Sequence, residues 1–245
     1  MSATLGLLLK EINPKCTIHV FERLDRAATE SSDAWNNAGT GHSAFCELNY
    51  TPQLADLSID ISKALKISES FEVSRQFWSY LIKKKLLKNP KSFIRKVPHM
   101  SFVWGNDNVD FLYNRYLKLK EFPLFAAMQF SKDAKTISEW APLIMENRKA
   151  SDKIACTKME EGTDVNFGSL TRSMFQYLST LDGVHIHYNH EVKNLKKTED
   201  NKWRIKIKNV TNKTKVRTIT SFLFIGAGGG SLLLLEKANI PEGEG

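Results

Sequence analysis

The chain has 245 residues, of which 42% are hydrophobic and 25% are charged, and this composition excludes disordered and fibrous proteins. The formal net charge of +8 favours contact with an anion, whether nucleic acid, a lipid surface or an acidic substrate. No apolar run is long enough to cross a membrane, and the first residues lack the features of a secretory signal. Three widely spaced cysteines suit reduced thiols better than disulfides or zinc, so we expect a cytoplasmic protein without a metal site.

The first predicted elements form the latter part of a βαβ unit. Apolar residues at helical spacing predict a helix over residues 2–12, which Asn13 and Pro14 end. A β-rich stretch predicts a strand over residues 17–21, and Glu22 follows it directly. In dinucleotide-binding units an acidic residue at this place holds a ribose hydroxyl. Taken alone, however, Glu22 is better explained as a surface carboxylate at the end of a strand.

A long loop and a helix-rich section follow. Residues 25–52 are rich in Ser, Asn, Gly and Ala and have no period, and an irregular segment of this length inside a compact domain is usually functional. Residues 54–87 predict a helical region. Further on, the sequence predicts a strand over residues 99–104 and helices over 107–120 and 137–140. We interpret this middle section as a separate layer over a nucleotide-binding fold.

Basic residues are concentrated in one part of this section and are interleaved with apolar ones. The pattern is compatible with docking on an anionic membrane surface and equally with the solvated end of a helix. The basic residues are Lys83, Lys84, Lys85, Lys88, Lys91, Arg95 and Lys96, and the apolar ones are Leu86, Leu87, Phe93 and Ile94.

The last third of the chain returns to helix and strand. Residues 169–181 have a helical apolar face, and residues 221–225 form an unbroken apolar run that predicts a buried parallel strand. That run leads through a glycine-rich turn into a predicted helix over residues 231–237. An α/β fold of the Rossmann type follows from these elements and the first ones. Alternating patterns predict the remaining strands over residues 184–188, 191–197, 203–210 and 215–219.

One contiguous segment of unusual composition, residues 31–52 (SSDAWNNAGTGHSAFCELNYTP), closely resembles the signature of the malate:quinone oxidoreductase family. The similarity continues through shorter segments, so that it covers essentially the whole chain. These segments are residues 1–6 (MSATLG), 21–24 (FERL), 77–80 (FWSY), 97–103 (VPHMSFV), 139–140 (EW), 162–168 (GTDVNFG) and 224–229 (FIGAGG).

The resemblance implies a Rossmann-like FAD-binding domain of the two-domain flavoprotein type, interrupted by an α+β insertion on the substrate side. The expected division is a partial FAD-binding domain over residues 1–53, the insertion over 54–168 and a return to the FAD-binding domain over 169–245. Met1 aligns with a methionine inside the family's glycine turn, and family chains continue past Gly245. The resemblance therefore implies an amino-terminal fragment, incomplete at both ends, and we expect that this chain alone neither retains FAD nor oxidises malate.

The expected FAD contacts also come from the resemblance. In related flavoproteins the acidic residue after the second strand binds the adenosine ribose, which implies that role for Glu22, and Val192 would meet the adenine. Glycines within residues 36–42 would let the backbone approach the planar flavin closely. The later glycine turn would pass under the phosphate and ribitol, although a turn without a ligand is the alternative there. The expected cofactor-binding residues are Ser2, Glu22, Arg23, Asn36, Asn37, Ala38, Gly39, Thr40, Gly41, Val192, Gly226, Gly228 and Gly229.

The activity implied by the resemblance is oxidation of (S)-malate to oxaloacetate in the tricarboxylic acid cycle, with electrons passed from the flavin to a membrane quinone. The location implied is peripheral, on the inner face of the cell membrane. Loss of the hydroxyl proton needs a base, and His42 and His99 are the candidates because histidine titrates near neutrality. A structural role is the alternative for both. A dicarboxylate substrate calls for cationic side chains, for which Arg95, Lys96 and Arg172 are candidates.

Two other functions remain open at this point. One is a FAD-dependent 2-hydroxyacid oxidase of the same superfamily that uses oxygen, and the other is an inactive basic fragment that binds an anionic surface. A flavin absorption band in the purified protein would exclude the second. No nucleic-acid motif accompanies the positive charge, so we expect no nucleic-acid partner.

Overall fold

A computed structural model describes residues 1–240 of the 245, so the last five residues of the predicted segment 169–245 lie outside the described residues. The helices are α1 Ser2–Ile12, α2 Ser62–Lys83, α3 Asn106–Lys120, α4 Ala134–Trp140, α5 Pro142–Met145, α6 Phe167–Leu178 and α7 Ser231–Lys237. The strands are β1 Ile18–Phe21, β2 Ile94–Lys96, β3 His99–Trp104, β4 Gln129–Ser131, β5 Ile154–Met159, β6 Thr163–Val165, β7 Val184–His187, β8 His190–Lys197, β9 Trp203–Asn209 and β10 Lys215–Thr220.

The chain forms two compact units. Within the described residues, the first unit consists of Met1–Gly39, Lys85–Phe93 and residues 166–240, and the second consists of Thr40–Lys84 and Ile94–Val165. The first unit holds a two-stranded parallel sheet, β1–β7, and a three-stranded antiparallel sheet in the order β10–β9–β8. The second holds an antiparallel pair, β2–β6, and a three-stranded antiparallel sheet in the order β3–β5–β4.

A buried lysine closes the turn between α1 and β1. Nζ of Lys10 donates to the carbonyls of Pro14 at 2.9 Å, Cys16 at 2.7 Å and Asp182 at 2.6 Å. A buried ammonium group is tolerated when its donors are paired in this way. Because two of these acceptors precede β1 and the third precedes β7, Lys10 fixes the start of both parallel strands. Gly183, with φ of +69°, completes the turn into β7.

The antiparallel sheet of the first unit has its own small apolar core. Leu195, Ile205 and Ile207 are buried on one face, and Ala238, just after α7, packs with them. Their alternation along β8 and β9 is that of strands with one covered face. Half-buried residues from β1 and β8, Phe21 and Val192 among them, pack against this core, which joins the two sheets of the first unit.

The strand predicted over residues 221–225 is not formed, which corrects the sequence-based expectation. These residues are irregular, and Phe222 and Phe224 have 61% and 42% of their surface exposed. A strand is held by its ladder of hydrogen bonds, and among residues 1–240 β1 pairs only with β7. Because no strand lies beside this apolar run, it has no ladder of hydrogen bonds to join. The helix α7 does begin after the glycines, as predicted.

The second unit is built around a core under α2 and α3. Phe45, Ile61, Leu119, Phe125 and Met159 belong to the cluster of buried residues there. The helix α2 is shorter than the predicted helical region 54–87. It begins at Ser62, whose backbone N–H donates a hydrogen bond to the Asp60 carboxylate. It ends at Lys83, two residues before Lys85, which has a φ of +61°. The strands β2, β4, β5 and β6 were not predicted from the sequence.

The apolar residues of the basic stretch do not form a membrane-facing surface. Leu87 and Phe93 are each only 2% exposed, and Leu86 and Ile94 are half-buried. The stretch is not one helix either, since it contains the end of α2, a turn at Pro90–Ser92 and the strand β2. Leu87 and Phe93 are therefore not available for insertion into lipid in this fold.

Candidate functional site

The carboxylate of Glu22 stands at the carboxyl end of β1. Its Oε1 accepts a hydrogen bond from the Leu24 backbone N–H at 2.8 Å, and its own backbone N–H donates to His187 O at 2.9 Å. The side chain is half-buried, with one oxygen fixed by the turn. The second carboxylate oxygen is an acceptor suited to a hydroxyl group, and its position at the end of a parallel strand is that of a ribose-binding carboxylate.

The backbone of Glu22 also fixes the start of β8. His190 N donates to Glu22 O at 2.8 Å, and Asn189 N donates to Leu24 O at the same distance. Val192, two residues after His190, is half-buried beside a shift in the register between β8 and β9. Glu22 and Val192 are thus held near one another by the main chain, which brings together two of the residues expected at the adenosine.

The amino end of α1 lies against the glycine turn that precedes α7. A Cβ atom added to Gly226 would collide with Ser2 Oγ and approach Phe224 at 2.8 Å, so these two side chains would have to move to admit a larger residue. The helix α1 has no side-chain N-cap, and its first backbone N–H groups are those that bind phosphate in dinucleotide folds. Gly228, with φ of +52°, and Gly229 are exposed in the short turn before α7, and a Cβ on Gly229 would meet nothing.

The expected contacts after β1 form a surface loop with local hydrogen bonds. Arg23 pairs with Glu30 at 2.7 Å, and both side chains are more than half exposed. Asn36 and Asn37 donate through their side-chain amides to Glu30 O and Ser31 O, at 3.0 and 3.2 Å. Ala38 is exposed. Gly39 is buried with φ of +71° and donates its N–H to Asn37 Oδ1 at 2.9 Å, so its conformation requires glycine.

In the second unit, Gly41 is packed against the strand β6. Its N–H donates to Thr163 O at 2.8 Å, and Thr40 forms an isolated bridge with Asp164. A Cβ on Gly41 would collide with Thr163 Oγ1 and lie 2.9 Å from Thr163 O and from Phe71. We call residues 31–52 the signature loop. At Gly41 its backbone lies so close to β6 that no side chain has room between them.

The two candidate histidines are in different settings within the second unit. His42 is exposed. His99, on β3, is 8% exposed, and its Nε2 lies 3.0 Å from Thr163 O. Because a carbonyl only accepts, Nε2 carries the proton, and Thr163 O receives both this bond and that from Gly41. Within the described part of the chain, Nδ1 of His99 has no hydrogen-bond partner. The contacts of His99 are those of a structural residue supporting the signature loop.

The basic residues expected at a dicarboxylate belong to both units. Arg95 and Lys96 are exposed on β2 in the second unit. Arg172, on α6, belongs to the first unit and lines a surface cavity of about 540 Å³ together with Arg26, His185 and His187.

Histidines line one side of the parallel sheet. His19 on β1 and His187 on β7 have ring nitrogens 3.1 Å apart, and the rings of His19 and His185 are stacked with centroids 4.7 Å apart. Burial, and then the proximity of other imidazoles, holds the pKa of His19 and that of His187 below the usual value. Throughout residues 1–240, no set of three His, Cys, Asp or Glu side chains is arranged to hold a metal ion.

Sequence reasoning missed one residue that organises the signature loop. Arg115, on α3, is 0% exposed. Its Nε donates to Thr51 Oγ1 at 2.9 Å, and its Nη2 donates to the carbonyls of Ala44 and Phe45 at 3.2 Å each. Burial lowers the pKa of Arg115 to about 10, and the neighbouring Cys46 and Glu47 act in the opposite direction. The only sequence signal is an arginine within the apolar spacing of a helix.

Comparison with known proteins identifies the family. The model of the malate:quinone oxidoreductase (Mqo) family matches residues 1–245. A probable malate:quinone oxidoreductase of Flavobacterium psychrophilum is 66% identical over 245 residues, which are 100% of this chain and 49% of that protein. A protein of the same description from Pseudomonas aeruginosa is 53% identical over 100% of this chain and 47% of its own length. The chain therefore spans about half the length of the curated relatives it matches.

Solved structures share the fold at low sequence identity. Glycine oxidase from Geobacillus kaustophilus aligns with a TM-score of 0.66 at 14% identity, over 96% of this chain and 54% of that one. L-Proline dehydrogenase from P. horikoshii aligns with a TM-score of 0.58 at 13% identity, over 97% and 53%. L-alpha-Glycerophosphate oxidase from Mycoplasma pneumoniae, solved with FAD bound, aligns with a TM-score of 0.53 at 14% identity, over 83% and 45%.

These alignments confirm the predicted α/β fold, which the chain shares with the corresponding parts of these two oxidases and the dehydrogenase. None of the helices within residues 1–240 combines the length and hydropathy needed to cross a membrane. On the match of the family model along its whole length, this chain belongs to the malate:quinone oxidoreductase family.

Proposed function

We propose that a protein of the length of its relatives carrying this chain oxidises (S)-malate to oxaloacetate in the tricarboxylic acid cycle, using FAD and a membrane quinone. The observation that carries this proposal is the family match over all 245 residues. The flavoprotein fold supports it, because a 2-hydroxyacid cannot lose a hydride without an acceptor and side chains alone do not provide one. FAD, when bound, supplies that acceptor and the route of the electrons to the quinone.

The first unit is the proposed binding place of the adenosine and pyrophosphate. The half-buried Glu22 would accept the ribose hydroxyls, and Val192, linked to it through the main chain at His190, would pack against the adenine. The first N–H groups of α1 would bind the pyrophosphate, with Ser2 and Gly226 at close approach beside them. This donor and acceptor set fits the cofactor. By the family resemblance, residues 1–53 and 169–245 are the proposed FAD-binding part and 54–168 the proposed substrate side, although residues 40–53 belong to the second compact unit and residues 85–93 to the first.

The signature loop supplies the proposed contacts to the flavin. The buried Gly39, in its left-handed conformation, and Gly41, which has no room for a side chain, give a backbone that can lie flat against an aromatic ring. The edge of the ring would be satisfied by polar groups of the neighbouring residues of the loop. These would be side-chain or backbone groups of Asn36, Asn37 and Thr40 and the backbone of Ala38. Arg23, Gly228 and Gly229 are proposed as outer contacts, since all three are exposed.

His42 is the proposed acceptor of the substrate hydroxyl proton. It is exposed and directly follows Gly41 in the signature loop. An imidazole, which can accept a proton near neutral pH, is therefore next in sequence to a proposed flavin contact. His99 is proposed as its structural support, because its Nε2–H is engaged by Thr163 O. The role of His99 would then be to hold β6, and through β6 the N–H of Gly41, in place.

The basic stretch is proposed to hold the protein on the anionic cytoplasmic face of the membrane. Leu87 and Phe93 are buried, so the attachment would be electrostatic and peripheral rather than insertion. Each basic side chain near such a surface contributes on the order of 1 kcal/mol. Because exposed charges are screened, salt should weaken the attachment.

The test is to purify a protein of family length that carries this chain and to supply (S)-malate in air, with and without a quinone analogue. The expected result is one bound flavin per chain, oxaloacetate formed in step with reduced quinone, and little hydrogen peroxide. Peroxide formed in step with oxaloacetate, without need of the quinone, would support the 2-hydroxyacid oxidase instead. The Flavobacterium psychrophilum relative, purified in parallel, is the control. If it carries flavin and the protein under test shows no flavin band, both functions are refuted.

A further inference from the structure

Three consecutive carbonyls of the signature loop point into the second unit and are held by buried side chains. Nη2 of Arg115 donates to the carbonyls of Ala44 and Phe45, and Oγ of Ser101 donates to that of Cys46 at 2.9 Å. Ala44 is fully buried and has a φ of +59°, a conformation that a residue with a side chain avoids. The loop thus has an unfavourable backbone geometry that these donors maintain.

Arg115 has an unusual set of partners for a buried arginine. No carboxylate forms an ion pair with it among residues 1–240, and its hydrogen bonds go to neutral oxygens. Thr51 Oγ1 accepts from Nε and donates to Leu48 O at 3.0 Å. A guanidinium group is planar with donors in a fixed fork, so it fixes direction as well as distance. An apolar side chain would fill the same space without ordering the loop.

We propose that Arg115 is a positioning residue for the flavin: its guanidinium group holds the carbonyls of Ala44 and Phe45, and so sets the backbone of residues 40–43 against which the ring is placed. This inference rests on the proposed function. It adds a residue outside the signature segment, 64 positions along the chain from Thr51, that determines the geometry of that segment. The residue acts through the loop and touches no reacting atom.

The experiment compares Arg115→Lys and Thr51→Val in the full-length protein, with Arg75→Met as the control. Arg75 is on α2 in the same unit and pairs at the surface with Glu72. Three quantities are measured for each variant: the Kd for FAD, amide hydrogen exchange of a peptide covering residues 40–51, and the thermal midpoint of unfolding.

Lysine keeps the charge but lacks the fork, so Arg115→Lys is expected to unfold cooperatively, to exchange the 40–51 amides at least tenfold faster and to bind FAD at least tenfold more weakly. Thr51→Val, which removes one of the three hydrogen bonds of Arg115 together with the bond from Thr51 Oγ1 to Leu48 O, should shift both quantities in the same direction by less. Arg75→Met should shift neither. The combination of a changed loop and a retained fold is one that general destabilisation does not produce.

Two outcomes would overturn the proposal. The first is an Arg115→Lys protein in which loop exchange and Kd both stay within twofold of the wild type. The second is loss of cooperative unfolding in Arg115→Lys and Thr51→Val alike, which would make Arg115 a residue of the general core. Failure of the proposed function is distinguishable, because it would appear as a wild-type protein without FAD affinity, whereas the exchange measurement needs no flavin.

Discussion

Glu22 provides the sharpest test of the proposed adenosine site. Replacing it by alanine removes an acceptor at the end of β1, and hydrogen bonds to charged groups are worth about 1.5–3 kcal/mol. The carboxylate is half-buried, with one oxygen already committed to Leu24 N, so we take the lower part of that range, about 1.5–2 kcal/mol. At about 1.4 kcal/mol for each factor of ten, the Kd for FAD should rise by roughly 10- to 30-fold.

The assay is titration of apoprotein with FAD, followed by quenching of flavin fluorescence. Glu22→Gln keeps an oxygen acceptor and the shape of the side chain, so it should lose less affinity than Glu22→Ala. Asp200→Ala is the control, because it removes an exposed carboxylate of the same unit that pairs with Lys202 and has no proposed role at the cofactor. A Kd for Glu22→Ala equal to that of Asp200→Ala would remove Glu22 from the site and refute the reasoning.

Four further perturbations have defined outcomes. Gly41→Ala should lower the free energy of unfolding by about 1–3 kcal/mol, as overpacking does, in urea titrations; an unchanged midpoint would mean that the loop lies further from β6. His42→Gln should lower turnover by roughly 10²- to 10⁴-fold with flavin content unchanged, and undiminished turnover would exclude His42 as the base. Because the pKa of His19 and of His187 is lowered in the fold, the unfolded chain takes up protons first as pH falls through about 6.5. Stability should therefore decrease below that pH, and less so in His187→Gln; a steeper decrease in the variant would contradict this. Charge reversal at residues 83–85 should abolish salt-sensitive sedimentation with anionic vesicles, and sedimentation indifferent to both salt and reversal would count against membrane docking by this stretch.

Elements whose signal is local could be predicted from the sequence almost to the residue. The helices at residues 2–12 and 107–120 have a regular apolar spacing with nearby stop signals, and the structure places them at Ser2–Ile12 and Asn106–Lys120. The three strands of the antiparallel sheet in the first unit, β8, β9 and β10, alternate clearly and were predicted as well. In each case the pattern that forms the element lies within the element.

Elements that depend on a neighbour were predicted less well. The apolar run at residues 221–225 has the composition of a buried strand, but no strand lies beside it in the described chain. The short strand β4 gains its identity only from pairing with β5. Arg115 was missed because its importance lies in contacts to residues 64 to 71 positions away, and no local spacing reports on these. The expected FAD residues came from family resemblance, since glycines and asparagines in a loop do not specify a ligand.

Anaerobic mixing of the purified, flavin-loaded protein with (S)-malate tests the central claim most directly. The proposed function predicts that (S)-malate bleaches the oxidised-flavin band, that (R)-malate does so far more slowly, and that a quinone analogue restores the band faster than oxygen does. The assignment of malate as the substrate would be contradicted if (S)-malate left the flavin band unchanged although quinone and oxygen both reoxidised the chemically reduced protein.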